Sequence, residues 1–337
     1  MADTGVYLYE QVIILISCVL SFFGSCLIIF SYIVWKDLRT KPRRLLVFLS
    51  VADLISALSY FYGVLRVFES DSWDCVLQGA LSTFSNTSSF FWTVAIAIYL
   101  YIFIVKSDQR LADSLSLWFH VISWGIPLVI TVAAVSLQKI GYDASEVSVG
   151  WCWVSIRAED HVLWMLLTGK IWELLAYITL PVLYILIKKH ISTAHAALSE
   201  YRPILSSNPL SHSRSTMADR KLTLIPIIFI ALRVWSTVRF FLMLFDSPAL
   251  YNPVLVTLHG IGNTFQGGAN CIMFVLFTQL VRSRLANSLC CGCCSRYGPE
   301  HTADSGDAGI WGRNSQGRPQ TPSRTEEMNP PEWVEEH

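Results

Sequence analysis

Long apolar runs separated by short polar connections set the pattern of this chain, and seven of them stand out: residues 12–35, 45–68, 76–105, 115–137, 162–187, 222–245 and 253–281. A bilayer core about 30 Å thick takes roughly 20 helical residues to cross, so each run is long enough to span it. Inside the third run Gln78, Ser82, Asn86, Ser89 and Thr93 step by three or four residues, which puts them on one helical face. The seventh repeats the pattern with His259, Asn263, Gln266 and Asn270, interleaved with Gly260, Gly262, Gly267 and Gly268, whose missing side chains permit close helix approach. The predicted fold is all-α: a polytopic membrane protein with a seven-transmembrane-helix bundle and polar stripes turned inward. Trp35, Trp73, Trp118, Trp164 and Tyr251 fall near predicted helix ends, where amphipathic rings favour the headgroup level.

The connections orient the bundle. Those after spans one, three, five and seven hold fifteen basic residues, among them Lys36, Lys41, Lys106, Lys188, Lys189, Arg220 and Lys221, against only Lys139 and Arg157 in the others. Positive charge stays in the cytoplasm, so the expected organisation is a short extracellular N-terminus (1–11) and the bundle (12–281), with the chain's C-terminus cytoplasmic. Beyond the bundle, Leu280, Val281, Leu285 and Leu289 alternate with Arg282 and Arg284, predicting a short amphipathic juxtamembrane helix within 282–294. The tail, 295–337, is rich in Pro, Gly, Ser and Glu and is expected to be disordered. No cleavable leader is evident before the first span.

Composition agrees with a membrane as solvent: 53% hydrophobic and 15% charged residues, against roughly 25% charged in an ordinary globular domain. The formal net charge of zero leaves no electrostatic footprint for nucleic acid.

Candidate chemistry lies at three depths. Cys75 and Cys152 fall in the outer connections, where an oxidising compartment favours a disulfide over two free thiols. Asp53, Lys170, Glu173, Arg233 and Arg239 fall inside spans, where an ionised group needs a partner or water. Lys170 and Glu173, one turn apart, either neutralise each other or meet a ligand. The ligand-pocket candidates are Gln78, Ser82, Asn86, Ser89, Lys170, Glu173, Arg239, His259, Asn263 and Gln266, with interhelical hydrogen bonding as the plainer role for each. Asp53 and Asn270 lie at similar depth and form a candidate polar switch network, either bistable or static. Lys188, Lys189, Arg220 and Lys221 are the candidate surface for a cytoplasmic partner, or serve topology and lipid attraction alone. Cys290, Cys291, Cys293 and Cys294 follow the amphipathic segment; juxtamembrane cysteines are acylation candidates, the alternatives being spare thiols or half of a zinc site. Asn86, Thr87 and Ser88 spell a glycosylation triplet, but inside a span, out of reach of the machinery. Only His120 and His259 among the histidines lie in spans, and no nucleophile motif appears, so catalysis is not expected and no cofactor is implied. A retinal Schiff base would need a lysine in the last span, which has none.

These features together resemble the G-protein-coupled receptors. Ser123, Trp124, Gly125, Ile126 and Pro127, then Cys152 with Trp153, then Phe265, Gln266, Gly267 and Gly268 are similar to the secretin and slime-mould cyclic-AMP receptor groups. The blocks Ser72 to Leu81, Ala197 to Leu205, Leu232 to Phe240 and Leu258 to Val275 are similar to vertebrate orphan members. Helix three ends in Tyr101, Ile102, Phe103, Ile104 and Val105, without the acidic-Arg-aromatic triplet of rhodopsin-like receptors, and helix seven lacks their Asn-Pro-x-x-Tyr motif, although Ala52, Asp53 and Leu54 resemble their helix two. The resemblance implies an unknown extracellular ligand and a heterotrimeric G protein as partners. A transporter or channel is the alternative, although no internal repeat supports it.

Overall fold

The computed structural model describes residues 7–66, 68, 72–142, 149–201, 225–278 and 281–285, with side chains through 194 in the third-last of these segments. Among the described residues six helices are long and apolar enough to cross a membrane: α1 Leu8–Val34, α2 Lys41–Leu65, α3 Trp73–Lys106, α4 Ser116–Ser136, α5 His161–Ala194 and α6 Ile225–Leu244. The helical backbone of α5 continues to Tyr201. The seventh apolar run departs from the expected single span. It divides into α7 Pro253–Thr264 and α8 Gln266–Phe277, with Phe265 at the break (φ −92°, ψ 2°).

The break has a local cause. Gly267 donates its backbone N–H to Ser21 Oγ of α1 at 3.0 Å. A Cβ on Gly267 would come within 2.1 Å of Ser25 Oγ, so the glycine lets the chain lie directly against α1. Thr264 bonds Ser17 Oγ at 2.8 Å one turn earlier.

Other boundaries shift because polar residues extend helices past the apolar runs. Lys41, Pro42, Arg43 and Arg44 form the first turn of α2, where proline loses no intrahelical bond. The prolines differ in effect. Pro127 lies two residues past a π-turn at Val121–Gly125, a widening that accommodates the missing N–H. Pro181 sits inside α5. Pro226 is the second residue of α6 as described, a position where proline loses no intrahelical bond.

α3 runs through the middle, touching α2, α4, α5 and α6. Large apolar side chains such as Phe23, Phe30, Val129 and Ile178 face outward, while serines, threonines, amides and ions are buried, which is the order a lipid solvent favours. Trp92 of α3 is fully buried, stacked on Phe48 at 5.1 Å and edge-on to Trp124 at 5.8 Å. At one end lies an antiparallel hairpin the hydrophobic pattern did not predict: β1 Ile140–Tyr142 pairs with β2 Cys152–Val154, with Gly141 opposite Trp153. Its strands are too short to register as an alternation. Cys152 is bonded to Cys75 at the start of α3.

Candidate functional site

The inner face of α3 supplies the site from the disulfide end downward. Gln78 is used by the hairpin: its Oε1 accepts from the Cys152 N–H at 2.8 Å, and its Nε2 donates to Ser59 Oγ at 3.3 Å. One turn deeper Ser82 faces a cavity. Next, Asn86 Oδ1 accepts from Arg233 Nη2 at 2.8 Å and from Ser56 Oγ at 3.1 Å, while its Nδ2 donates to Tyr60 OH. Asn86 therefore joins α2, α3 and α6.

Arg233 is the second hub. Its Nη1 donates to Asn263 Oδ1 of α7 at 3.0 Å, and its guanidinium lies 4.9 Å from the centre of the Phe90 ring. The Asn263 amide in turn lies 2.8 Å from His259 Nε2, and Arg239 Nη1 donates to His259 Nδ1 at 2.9 Å. On α6 the residues Arg233, Ser236, Thr237 and Phe240 are all buried, at the spacing of one helical face.

α5 brings the remaining ions. A π-turn at Leu166–Lys170 frees carbonyls that side chains then occupy: Thr87 of α3 donates to Thr168 O, and Trp172 Nε1 donates to Leu167 O, both at 2.8 Å. The turn delivers Lys170 to the interior, 2.9 Å from Glu173 Oε2 and bonded to Ser236 Oγ. Glu173 Oε1 accepts from Tyr177 OH at 2.6 Å and from Thr237 Oγ1 at 2.5 Å. Its carboxylate is thus fully engaged.

Between these groups lies a cavity of about 50 Å³. Trp151 from the loop beside β2 covers it, with its ring 4.5 Å from that of Tyr60 and 5.8 Å from that of His259. Six of the ten pocket candidates line it: Ser82, Asn86, Lys170, Glu173, His259 and Asn263. Four do not. Gln78 holds the hairpin, Ser89 and Gln266 belong to the layer below, and Arg239 stands behind His259, also donating to Leu250 O at 3.3 Å. Tyr60, Trp151 and Arg233 line the cavity although the stripe pattern did not select them. Arg233 was visible in the sequence only as a charge inside a span; Trp151 sits in a loop, where no period operates.

Below the cavity Asp53 of α2 accepts from Ser89 Oγ at 2.8 Å and from Asn270 Nδ2 at 2.9 Å. Gln266 Nε2 donates to Asn270 Oδ1 at 3.2 Å. At the end opposite the disulfide Lys188 and Lys189 are exposed, Lys41 pairs with Asp113 at 3.3 Å and Arg284 with Asp37 at 2.5 Å. Of the amphipathic segment 282–294 only residues 282–285 are described, and they are helical. Arg220, Lys221, Cys290, Cys291, Cys293, Cys294 and the tail lie outside the described residues.

The apolar outer faces, the disulfide-pinned loop over a small polar cavity and the buried ion network are those of a polytopic membrane protein. The backbone is similar to that of squid rhodopsin, with a TM-score of 0.66 over 88% of this chain and 89% of that one at 13% identity, a likeness of fold alone. The family model for the 7 transmembrane receptor (secretin family) matches residues 7–268. The chain is 66% identical to mouse G-protein coupled receptor 157 (86% of this chain, 87% of that protein) and 67% identical to its human counterpart (83% and 84%). It is also 30% identical to the Dictyostelium discoideum cyclic AMP receptor-like protein A, over 42% of this chain and 36% of that protein. The chain belongs to the secretin family of seven-transmembrane receptors. It is a G-protein-coupled receptor, and the transporter alternative is set aside.

Proposed function

We propose that the receptor lies in the membrane with its N-terminus and the Cys75–Cys152 bridge outside, binds an extracellular ligand in the cavity under Trp151, and activates a heterotrimeric G protein at the opposite end. The observation that carries this reading is the position of Arg233: one side chain bonds Asn86 of α3 and Asn263 of α7 while its backbone belongs to α6. A ligand that competes for either amide changes how α6 is held, and it shifts the equilibrium only by its preference for one arrangement over the other. A disulfide persists on the oxidising side of a membrane, and the excess of basic connections gives the same orientation. Lys188 and Lys189, with Arg220 and Lys221, would then border the G-protein surface on α5 and α6. Gln78, Ser89, Arg239 and Gln266 support the site from behind, and the Asp53 with Asn270 layer transmits its state. Cys290, Cys291, Cys293 and Cys294 are proposed acylation sites, tested by hydroxylamine-sensitive acyl exchange.

The deciding experiment is guanine-nucleotide exchange on a panel of purified heterotrimeric G proteins, with the receptor in nanodiscs. Exchange on a particular subtype, reduced when Lys188, Lys189, Arg220 and Lys221 are all changed to Ala, supports the reading. Equal exchange by wild type and variant would remove those four residues from the interface.

A further inference from the structure

We propose that the cavity under Trp151 is an anion site, in which Arg233 binds a carboxylate-sized acid group. The proposal rests on the ligand reading above and names the chemistry of what binds. Arg233 is buried, at 2% exposure, and its partners are the neutral Asn86 and Asn263 amides and the Phe90 ring. Its Nε has no hydrogen-bond partner, and neither does Oγ1 of Thr83, also 2% exposed; both residues line the cavity.

No carboxylate contacts the guanidinium directly among its described partners. Glu173 spends one oxygen on Lys170 and the other on Tyr177 and Thr237, so that pair balances itself. Asp53 sits a layer deeper, held by Ser89 and Asn270, and acts on Arg233 only through space. On the remaining side stand His259 and the cation of Arg239. A buried cation surrounded by amides attracts an anion strongly, because the low local dielectric leaves its charge poorly screened. The outer nitrogens already serve Asn263 and Asn86, so the unpartnered Nε–H is the donor left for a carboxylate oxygen, and the Thr83 hydroxyl, on the same lining, is a second donor. A space of about 50 Å³ holds on the order of four waters, enough for an acid group and far below the roughly 300 Å³ or more of a drug-sized site.

The test uses the full-length receptor purified in nanodiscs, with no G protein, so its result is independent of whether nucleotide exchange is found. Thermal unfolding is compared in sodium acetate, in sodium gluconate (whose anion is too large for the cavity) and in gluconate plus neutral acetamide, all at equal ionic strength. Acetate is expected to raise the melting temperature by about 3 °C or more near saturation, with no rise from acetamide. Lys139→Gln, a cation outside the site, should keep the shift, whereas Arg233→Gln should lose it. Equal melting of the wild type in acetate and gluconate, or an equal gain from acetamide, overturns the proposal even if Arg233→Gln does not fold. Hexanoate separates the sources: a larger shift than acetate identifies the acid group of a longer agonist, and a smaller one identifies a free small anion.

Discussion

Asn270 of α8 donates from Nδ2 to Oδ2 of Asp53 in α2 at 2.9 Å, joining residues 217 positions apart in sequence. Ser89 of α3 occupies the other carboxylate oxygen at 2.8 Å. Three helices thus meet on one buried acid, and removing one donor leaves an acceptor in a place water reaches poorly. Asn270→Ala should lower stability by about 1–3 kcal/mol. The sharper check is a double-mutant cycle with Asp53→Asn, read by thermal unfolding in nanodiscs. Coupling near 1 kcal/mol is expected for an interhelical bond of this kind, and strict additivity would mean that the two side chains do not interact.

Gly262 permits α7 to lie against α6 just where Arg233 projects. A Cβ there would fall 2.0 Å from the backbone oxygen of Leu232, whereas one on Gly125 would meet nothing within 4 Å. Because the obstacle at Gly262 is backbone, it cannot rotate away. Gly262→Ala should therefore push the helices apart and sharply reduce the yield of folded receptor, while Gly125→Ala should be neutral or mildly stabilising. Equal yields from the two variants on size-exclusion chromatography would contradict the packing described.

The Cys75–Cys152 bridge closes a separation of 77 residues, and loop-closure entropy gives such a link roughly 4 kcal/mol. It also holds the Cys152 N–H on Gln78 and so fixes the loop that carries Trp151. Cys75→Ser and Cys152→Ser should lower the melting temperature by similar amounts, since each removes the same bond. Amide exchange across Cys152–Val154 should accelerate in both. A normal exchange rate there would show that the hairpin stands without the bridge.

Much of this arrangement was legible in the sequence because membrane burial inverts the usual rule: a polar residue at helical spacing inside an apolar run has to face its own kind. That logic brought Ser82, Asn86, His259 and Asn263 to a shared cavity, while Asp53 and Asn270 were matched by their similar depth. It could not separate layers, since one stripe on α3 serves three jobs: Gln78 supports the loop, Asn86 borders the cavity and Ser89 binds Asp53. The α7 to α8 break escaped it as well, because hydropathy runs straight through Phe265 while the cause lies across the interface in Ser21 and Ser25. Trp151 was out of reach for another reason: its partners, Tyr60 and His259, are set by the hairpin and the disulfide.

The loop end also carries a titratable contact. Lys139 bonds Asp160, whose other oxygen accepts from Trp164 Nε1 at 2.9 Å. The lysine ammonium beside it, with the indole N–H adding to the effect, holds the Asp160 carboxyl below its ordinary value. For a carboxyl lowered on folding, the stabilisation is complete above the unfolded value near 4 and disappears as pH falls through the lower folded value. Hairpin opening, read as amide exchange corrected for its intrinsic pH dependence, should therefore stay constant from about pH 6 down to about 4 and rise below it. Asp160→Asn should remove that acid-side rise. The pair is only partly buried, with side-chain exposures of 24% for Lys139 and 40% for Asp160, so the effect should be small and should shrink with added salt. A rise of the same size in Asp160→Asn would assign the acid sensitivity to another group.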